Sequence, residues 1–176
     1  MRAVAQGDQR ALRLLMERHM LRSISLAARV AGSAADADEI GQEAFVRIWQ
    51  HAARYDPRRA RFTTWLYQIV MNLALDRRRK RQHAPLDEAG DVAAAEPGID
   101  EVLIDRERRR LAREAMDSLP ERQRAALILF HVEGLSGRDS AAVLGVSEKG
   151  LESLLSRGRA ACREFVRMKQ IQGERP

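Results

Sequence analysis

Two groups of basic residues have the type and spacing to bind phosphate. The first is the run from Arg77 to Arg81, which follows directly on an apolar helical segment. The second lies on the polar face of a segment near the end of the chain, which carries Lys149, Glu152, Ser153, Ser156, Arg157, Arg159 and Arg163. Polar residues at the start of a helix reach base edges in a major groove, and later arginines meet phosphate. This pattern favours a nucleic acid as partner, although a solvated face on an ordinary helical hairpin would look the same.

Groups that could carry out catalysis are few and scattered. The four histidines of the chain are His19, His51, His83 and His131. They show no metal-ligand spacing, and no glycine-rich phosphate loop accompanies them. Cys162, the single cysteine, lies on an apolar helical stripe and is expected to be buried filler rather than a nucleophile. We therefore expect a protein that is not an enzyme and that holds no cofactor and no metal.

The composition indicates a folded protein with a polyanionic partner. Of the 176 residues, 45% are hydrophobic, which excludes wholesale disorder, and the formal net charge is +6 with a pI of about 10.3. A single cysteine forbids an internal disulfide and fits a reducing cytoplasm. No run approaches the roughly 20 apolar residues of a membrane span, so we expect a cytoplasmic location and no direct membrane insertion.

Charge divides the chain into three segments. Residues 1–83 hold 16 basic and 8 acidic side chains, residues 84–105 hold 0 and 7, and residues 106–176 hold 15 and 10. The acidic segment also contains prolines and glycines and few bulky apolar residues, which is typical of a tether. We predict two small domains, residues 1–83 and 99–176, joined by a flexible acidic linker at residues 84–98. The alternative is a long surface loop within one domain, although such loops are uncommon in compact folds.

Apolar residues recur at spacings of three and four almost throughout, and no stretch alternates, so we expect an all-α protein. In the first domain, Gly32 is expected to end a helix and Ser33 to begin the next. The Asp56–Pro57 pair interrupts the apolar pattern. Thr63 or Thr64 is expected to cap the helix that leads into the basic run. These signals predict a small helical bundle.

The second domain shows a dense series of helix boundary signals. A helix is predicted from about Ile99 to Asp117, and the signals after it are Pro120 in a first turn, Gly134 at a helix end, Ser136 with Asp139 as a capping box, Gly145, and Ser147 as a cap. They define a short helix, a glycine turn and a longer helix. That succession predicts a helix-turn-helix.

Several motifs in both domains resemble those of one family. The first-domain motifs are DADEIGQEAF from Asp36 to Phe45 and FTTWLYQIVMN from Phe62 to Asn72, with Asp76 and Arg77 following. The second-domain motifs are Leu119 with Pro120, then Leu127, GLS at 134–136, LGVS at 144–147, and Ser156, Arg157 and Arg159. Over nearly its whole length the chain resembles RNA polymerase sigma factors of the extracytoplasmic-function (ECF) group, sigma-70 family. That group keeps sigma domains two and four, joined by a linker.

The resemblance implies that the helix after Ser33 docks on the clamp helices of the polymerase beta-prime subunit. The residues assigned to this contact are Asp38, Gln42, Glu43 and Phe45. Acidic side chains there would meet a basic partner. Purely structural roles are also open for these residues. Acidic side chains favour a helix N-terminus, and Phe45 fits an apolar core stripe.

The resemblance also implies that the loop before the second motif, together with the next helix, reads the −10 element of a promoter. The assigned residues are Tyr55, Arg58, Arg59, Arg61, Phe62, Trp65, Asn72, Arg77, Arg78 and Lys80. An unpaired base needs stacking surfaces and hydrogen-bond partners, and capture of one strand shifts a duplex toward opening. Asn72 would offer an amide to such a base. The aromatic residues fit packing at least as well as stacking, and Trp65 fits mainly a core position.

For the −35 element, domain four of the family places its last helix in the major groove. The residues assigned to that face are Glu148, Lys149, Glu152, Ser153, Ser156, Arg157 and Arg159. The chain departs from the family pattern at Gly150 and Gly158, where helix formers are more usual. Each glycine costs roughly 0.8–1.0 kcal/mol relative to alanine, which we expect close packing or close backbone approach to offset. The chain also begins close to its first apolar stripe, so a few preceding family residues are expected to be missing.

Together these features predict a transcription-initiation subunit that binds core RNA polymerase, directs it to promoters and promotes their opening. The resemblance implies an anti-sigma factor as a further partner, because exposed polymerase-binding and DNA-binding faces need gating. The alternative is a free-standing helix-turn-helix regulator that acts without core polymerase and whose first domain senses a signal or dimerises. The acidic helix before an aromatic, basic helix favours the first reading, because a duplex-only regulator needs no base-capturing surface.

Overall fold

The structure, a computed structural model, describes residues 1–82 and 101–173, which we call the first lobe and the second lobe. All regular secondary structure in these ranges is helical, which confirms the predicted all-α fold. None of the helices in the two lobes combines the length and the apolar character that crossing a membrane would require. The predicted linker, residues 84–98, lies outside the described residues, and the division into two domains stays a prediction.

The first lobe consists of four helices and one 3₁₀ turn. The helices are α1 (Arg2–Ala5), α2 (Gln9–Ala31), α3 (Ala34–His51) and α4 (Phe62–Gln82), and the 3₁₀ turn is Ala52–Arg54. The helices α2, α3 and α4 pack against one another around an apolar core. Its largest fully buried side chains are Leu26, Val30, Ile40, Phe45, Ile48, Leu66, Val70 and Met71. The apolar spacing of three and four thus corresponds to the inward faces of three helices.

The junction between α2 and α3 follows the predicted signals. Gly32 has a φ of 70°, a left-handed conformation that glycine adopts readily, and its N–H donates to the carbonyl of Ala28 at 2.9 Å. Ser33 caps α3, because its hydroxyl accepts the N–H of Asp36 at 3.3 Å. The predicted helix end and the predicted helix start are both confirmed.

The start of α4 differs from the prediction. The helix begins one residue after Arg61, whose carbonyl accepts the N–H of Trp65 at 3.1 Å. The prediction that Thr63 or Thr64 caps this helix is wrong, because both lie inside its first turn. The Thr64 hydroxyl is buried and donates to Oδ1 of Asp139 in the second lobe, at 3.1 Å. The Thr64 hydroxyl therefore donates to a carboxylate distant in sequence and does not accept a backbone N–H as a helix cap would.

The second lobe contains four helices and one π-helical turn. They are α5 (Glu101–Asp117), α6 (Glu121–Leu127), the π turn (Ile128–Val132), α7 (Gly137–Leu144) and α8 (Glu148–Gly173). Pro120 stands just before α6, one position earlier than predicted, and Gly134 follows the π turn with a φ of 66°. The succession of α7, a turn at Gly145 and α8 is the predicted helix-turn-helix.

The caps of α7 and α8 are those that the sequence indicates. The Ser136 hydroxyl accepts the N–H of Asp139 at 3.0 Å, and the Ser147 hydroxyl accepts the N–H of Gly150 at 3.1 Å. Gly145 closes α7 with a φ of 63°. Because these bonds join neighbours in the chain, side-chain type alone was sufficient to predict them.

The two glycines inside α8 lie where neighbouring atoms come close. A Cβ added to Gly158 would lie 3.1 Å from Cδ1 of Leu127, so α8 packs tightly on α6 at this point. A Cβ added to Gly150 would lie 3.3 Å from Oγ of Ser147, the hydroxyl that caps the helix. A larger side chain would therefore be crowded at both positions, and the expectation that close packing offsets the lost helix propensity stays a prediction.

Gly41 marks a tighter approach, between α3 and α2, where an added Cβ would stand 2.8 Å from Cγ1 of Ile24. We expect Gly41→Ala to lower the free energy of unfolding, because overpacking costs roughly 1–3 kcal/mol and improved helix propensity returns only about 1 kcal/mol. Gly137→Ala is the matched control, since a Cβ there meets nothing within 4 Å. Urea unfolding measures both variants, and equal unfolding midpoints would contradict the close approach.

Candidate nucleic-acid and docking surfaces

The residues predicted to face a major groove lie together on one exposed side of α8. All of them are exposed: Glu148, Lys149, Glu152, Ser153, Ser156, Arg157 and Arg159. On the opposite side, Leu151 and Leu155 are buried in the core of the second lobe, with 1% and 5% of their surface exposed. The apolar stripe thus fixes which side of α8 faces outward. The helix presents a polar first turn and later arginines, the arrangement with which recognition helices enter a groove.

A cluster at the π turn holds one of these arginines in place. Nε and Nη2 of Arg159 lie 3.1 and 3.0 Å from Nε2 of His131, and its guanidinium carbon lies 6.0 Å from the centre of the Phe130 ring. His131 therefore acts as an acceptor through Nε2. The contact uses Nε and Nη2 of Arg159 and does not include Nη1. Sequence reasoning missed His131, because its partner lies 28 residues away.

The aromatic residues predicted at the −10 surface form one cluster at the start of α4. The ring centre of Tyr55 lies 5.3 Å from that of Trp65 and 6.3 Å from that of Phe62. The Tyr55 hydroxyl donates to the carbonyl of Ala60 at 3.1 Å, which fastens the loop before α4. All three rings are half-buried. They therefore pack against one another and still present part of their surface to solvent.

Asn72 lies further along α4 and is exposed to solvent. Trp65 and Asn72 are seven residues apart, so two helical turns separate them on one side of α4. Gln68 lies between them on the same side and is exposed as well. This side of α4 offers ring surface and side-chain amides, the two kinds of group that an unpaired base contacts.

The loop between α3 and α4 carries the other predicted arginines. Arg58, Arg59 and Arg61 are all exposed. Arg58 donates from Nη2 and Nε to the carboxylate of Asp56, each at 3.1 Å. Hydrogen bonds from Arg58 lower the pKa of the Asp56 carboxyl group. The loop thus combines one internally paired arginine with two further exposed cations.

The basic end of α4 is divided between interior and surface. Lys80 is exposed, whereas Arg77 is half-buried and donates from Nη1 to Asp36 at 3.1 Å and to Glu39 at 2.9 Å. The hydrogen bond from Arg77 lowers the pKa of Glu39. Arg81 donates to Asp36 as well, at 3.4 Å. Acids at the start of α3 therefore neutralise part of the basic run.

Arg78 points toward the second lobe. Its side chain is only 13% exposed, and Nη1 lies 3.7 Å from Oδ1 of Asp117 at the end of α5. Burial lowers the pKa of the Arg78 guanidinium. In this arrangement Arg78 lies between the lobes, and little of its side chain is accessible to a phosphate.

Three of the four residues predicted to dock on the polymerase lie on the accessible side of α3. Asp38 and Gln42 are exposed, and the Glu43 side chain is 41% exposed, with Oε1 2.6 Å from Nη2 of Arg47. Val46 is 52% exposed on the same side, one turn beyond Gln42. An apolar side chain among polar ones strengthens a docking surface, and its position in the helical register was visible in the sequence.

Phe45 does not belong to this surface. It is 2% exposed and lies in the core between α2, α3 and α4. The assignment of Phe45 to the docking contact is therefore corrected: Phe45 is a core residue, which was the alternative interpretation. Phe45 is buried because of the register of α3, in which it shares the apolar stripe with Ile40 and Ile48.

Groups for metal binding or nucleophilic chemistry give no candidate site in the two described lobes. No set of three or more His, Cys, Asp or Glu side chains in these ranges could hold a metal ion. Cys162 is half-buried on α8, and burial raises the pKa of its thiol. A thiol whose pKa is raised is a weak nucleophile at neutral pH.

Two family models match the chain in the order of the two lobes. Sigma-70 region 2 matches residues 15–84, and Sigma-70, region 4 matches residues 109–162. The first range holds the acidic side of α3 and the aromatic cluster of α4. The second holds the helix-turn-helix. Each candidate surface therefore falls inside a matched region.

Relatives that align with most of the chain include two sigma factors of about one third identity. The ECF RNA polymerase sigma factor SigE of Mycolicibacterium smegmatis is 34% identical over 169 residues, which are 92% of this chain and 65% of SigE. The RNA polymerase sigma factor CnrH of Cupriavidus metallidurans is 34% identical over 167 residues, which are 89% of this chain and 86% of CnrH. The chain thus spans slightly less than two thirds of SigE and most of CnrH.

Solved structures with the same fold include two protein complexes. CnrH in complex with the cytosolic domain of CnrY superposes with a TM-score of 0.69 and 27% identity, covering 94% of this chain and 93% of CnrH. The sigma factor RpoE of Bartonella quintana, in complex with the anti-sigma factor NepR, gives a TM-score of 0.67 at 19% identity, covering 88% and 96%. At 19% identity, the similarity to RpoE shows only that the two chains share a fold.

Proposed function

The chain belongs to the sigma-70 family of RNA polymerase sigma factors, in its ECF group, and we propose that it directs core RNA polymerase to specific promoters. The observation that carries the proposal is the order of three surfaces on one chain. An acidic side of α3 is followed by aromatic rings and amides on α4, and then by the polar face of α8. An initiation factor needs one surface for core RNA polymerase, one for the unpaired DNA strand and one for the DNA duplex. Nucleotide chemistry remains with the polymerase.

Docking on core polymerase is assigned to the exposed side of α3. Asp38, Gln42 and Glu43 supply charge and hydrogen-bonding groups, and Val46 supplies an apolar contact among them. Such a surface fits a basic helical partner with an apolar seam, and the clamp helices of the beta-prime subunit are the proposed partner. Complementary charge would fix the register of the two proteins and speed their encounter.

Reading of the −10 element is assigned to the outer side of α4 and the loop before it. Half-buried rings of Tyr55, Phe62 and Trp65 offer stacking surface, and Asn72 offers a donor and an acceptor to a base edge. Exposed cations in the loop and at Lys80 would hold the backbone of the same strand. A base held in this way is removed from the duplex, so binding energy drives promoter opening.

Reading of the −35 element is assigned to α8. Its first turn would bring Glu148, Lys149 and Glu152 to base edges, while Arg157 and Arg159 would meet phosphate. Arg157 donates from Nε to the carbonyl of Ser153 at 3.2 Å, so its Nη groups stay available to an external acceptor. Phosphate contacts position the helix, and the first turn supplies sequence discrimination.

A protein inhibitor of the anti-sigma type is the further proposed partner. CnrH, which covers most of this chain, was solved in complex with the cytosolic domain of CnrY. A comparable partner of this chain would cover the docking side of α3 or the DNA-binding faces until a signal releases it. We place the protein in the cytoplasm, where polymerase and promoters are found.

Run-off transcription tests the proposed function. Bacterial core polymerase that lacks its own specificity subunit is mixed with the purified full chain and a genomic promoter library. The expected result is transcription from a defined set of start sites that share −10 and −35 sequences. A free-standing regulator would instead bind specific duplexes tightly by itself and leave transcription by core polymerase unspecific, which would contradict the proposal.

His131→Leu is expected to weaken −35 binding by removing the acceptor that orients Arg159. Loss of one such hydrogen bond is worth about 0.5–1.5 kcal/mol, so affinity for a −35 duplex should fall roughly two- to twelve-fold. The salt dependence should flatten as well, because each lost phosphate contact lowers the slope by nearly one unit. Fluorescence anisotropy over a salt series measures both quantities.

His131→Asn is the matched variant, because its side-chain oxygen can still accept from Arg159. It should restore part of the affinity and of the slope. In an Arg159→Ala background, His131→Leu should have no further effect. An equal loss with and without Arg159 would show that His131 acts on the fold and not through this arginine.

A further inference from the structure

Four aromatic rings form a continuous row that joins α4 to α2. This ring row consists of Trp65, Tyr55, Phe62 and His19, with successive ring centres 5.3, 6.3 and 5.2 Å apart. All four side chains are half-buried. The sequence pattern pointed to the first three as members of the −10 surface but not to His19, which lies on a different helix. The ring row therefore extends the stacking surface from α4 onto α2.

Two arginines flank the α2 end of the ring row. Arg18 and Arg22 are exposed and lie about 6 Å apart along the axis of α2, just over one turn. In the part of the chain that the structure describes, neither guanidinium forms an ion pair or a hydrogen bond. Arg29, further along the same edge of α2, is by contrast paired with Glu133 at 2.7 Å. Arg18 and Arg22 therefore keep their donors available to an external anion.

Nearby titratable groups place both arginines beside α4 and not on a remote face of α2. Burial lowers the pKa of His19, and the positive charges of Arg18 and Arg22 lower it further. His19 is therefore mainly neutral at pH 7, and the positive potential at this edge comes from the two arginines. Burial raises the pKa of Tyr67, in the second turn of α4, and Arg22 acts against that shift. Arg22 thus lies within electrostatic reach of both helices.

A basic edge next to accessible rings is the arrangement with which proteins bind single-stranded nucleic acid. Bases stack on the rings, and a positively charged groove follows the phosphates. Guanidinium groups suit this role because they donate two parallel hydrogen bonds to one phosphate. A duplex keeps its bases stacked on one another and offers no base face to the rings, so a single strand fits this surface better. An acidic protein segment would use the arginines but leave the rings without a partner.

We propose, on the basis of the proposed function, that Arg18 and Arg22 bind phosphates of the unpaired promoter strand where it leaves the ring row. Along α4, Asn72 lies on one side of Trp65, and Phe62, which contacts His19, lies on the other. A strand held at both ends of this path keeps successive nucleotides unpaired. Phosphate is the same in every nucleotide, so the arginines raise the affinity for the strand and prolong the open complex without selecting its sequence.

The salt dependence of strand binding tests the proposal in the complex of the full chain with core polymerase. The probe is a fluorescently labelled single strand that carries the −10 element of a promoter found by run-off transcription. Arg18→Gln and Arg22→Gln should each reduce the slope of log affinity against log salt by about 0.7, the value for one phosphate contact to a single strand. A slope of 0.7 amounts to about five-fold between 1 M and 0.1 M salt, so the double variant should bind roughly 25-fold more weakly at 0.1 M.

Two further variants control for effects other than the loss of phosphate contacts. Arg13→Gln removes an exposed arginine on the opposite side of α2 from Arg22 and should keep the parent slope. Arg18→Lys/Arg22→Lys retains both charges and should also stay near the parent slope, because counterion release depends on charge. Circular dichroism melting checks that each variant is folded. Affinity for core polymerase should be the same for all of them.

The outcomes distinguish strand binding from the other roles of α2. An unchanged slope in the double glutamine variant would overturn the proposal, as would an equal loss of slope in Arg13→Gln or in the double lysine variant. Lower affinity for core polymerase with a normal slope would also overturn it and would show that the arginines face the enzyme. If the parent chain selects no promoter with core polymerase, the proposed function and this inference fail together. If the parent complex binds the strand and the variants bind it with the same slope, this inference alone fails.

Discussion

Glu43→Lys is expected to lower the affinity of the full chain for core RNA polymerase by roughly 30-fold or more. A like charge placed in an interface costs several kcal/mol, and each 1.4 kcal/mol is a factor of ten. The Glu43 side chain is 41% exposed and its carboxylate is held by Arg47, 2.6 Å away. It is therefore presented to a partner in one orientation. Titration of fluorescently labelled chain with core polymerase measures the affinity.

The reversal should leave the fold intact. Placing a lysine one turn before Arg47 costs only about 0.2–0.5 kcal/mol of helix stability. Glu17→Lys is the matched control, since Glu17 is an exposed acid on α2, outside the docking side of α3. Its affinity for core polymerase should stay within about two-fold of the parent chain, as expected for an exposed charge far from the contact. Equal affinities of the two variants would refute the docking assignment of α3.

The acids of α3 divide into two sets. Asp36 and Glu39 pair with Arg77 of α4, although the Glu39 side chain remains 63% exposed, whereas Asp38 and Glu43 make no such pair with α4. The acids paired with Arg77 neutralise part of the basic end of α4 within the first lobe. Reversal of Asp36, whose side chain is only 19% exposed, should therefore affect packing of α4 first and docking second. Only the structure separates these roles, because both sets belong to one acidic run in the sequence.

Features that depend on neighbours in the chain were predictable from residue types. The caps at Ser33, Ser136 and Ser147 and the glycine turns at Gly32 and Gly145 are all formed by contacts within four residues. Their hydrogen bonds need only a hydroxyl or a flexible backbone at the right place. The polar side of α8 was predictable for the same reason, because helical periodicity fixes it.

Features that depend on contacts between the lobes were not predictable in this way. Thr64 was expected to cap a helix but bonds Asp139, 75 residues later in the chain. Arg124 was unremarked in the sequence, since arginine is usually exposed, yet it is buried against Val30, 94 residues away. Arg78 was assigned to DNA and lies between the lobes. The positions of Thr64, Arg124 and Arg78 are each decided by tertiary contact, which a single sequence does not specify.

Asn72→Ala is expected to impair promoter opening far more than the first binding of promoter duplex. Asn72 is exposed on the outer side of α4, on the same side as Trp65 and two turns from it. Loss of hydrogen bonds to one base costs about 1–3 kcal/mol, so the open fraction should fall roughly 5- to 150-fold. Duplex binding depends mainly on phosphate contacts, and an amide contributes little to them.

Gln68→Ala is the matched control, because Gln68 is an exposed amide one turn earlier on the same side of α4. Permanganate reactivity of unpaired thymines measures opening, and gel mobility of the polymerase–promoter complex on fully paired DNA measures the first binding step. The assignment requires low permanganate reactivity with normal duplex binding for Asn72→Ala, and near-normal values of both for Gln68→Ala. If Asn72→Ala opens promoters as well as the parent chain, the captured base is held by other groups. If Gln68→Ala alone loses opening, the pocket lies one turn closer to the aromatic cluster, and the register assigned to α4 is wrong.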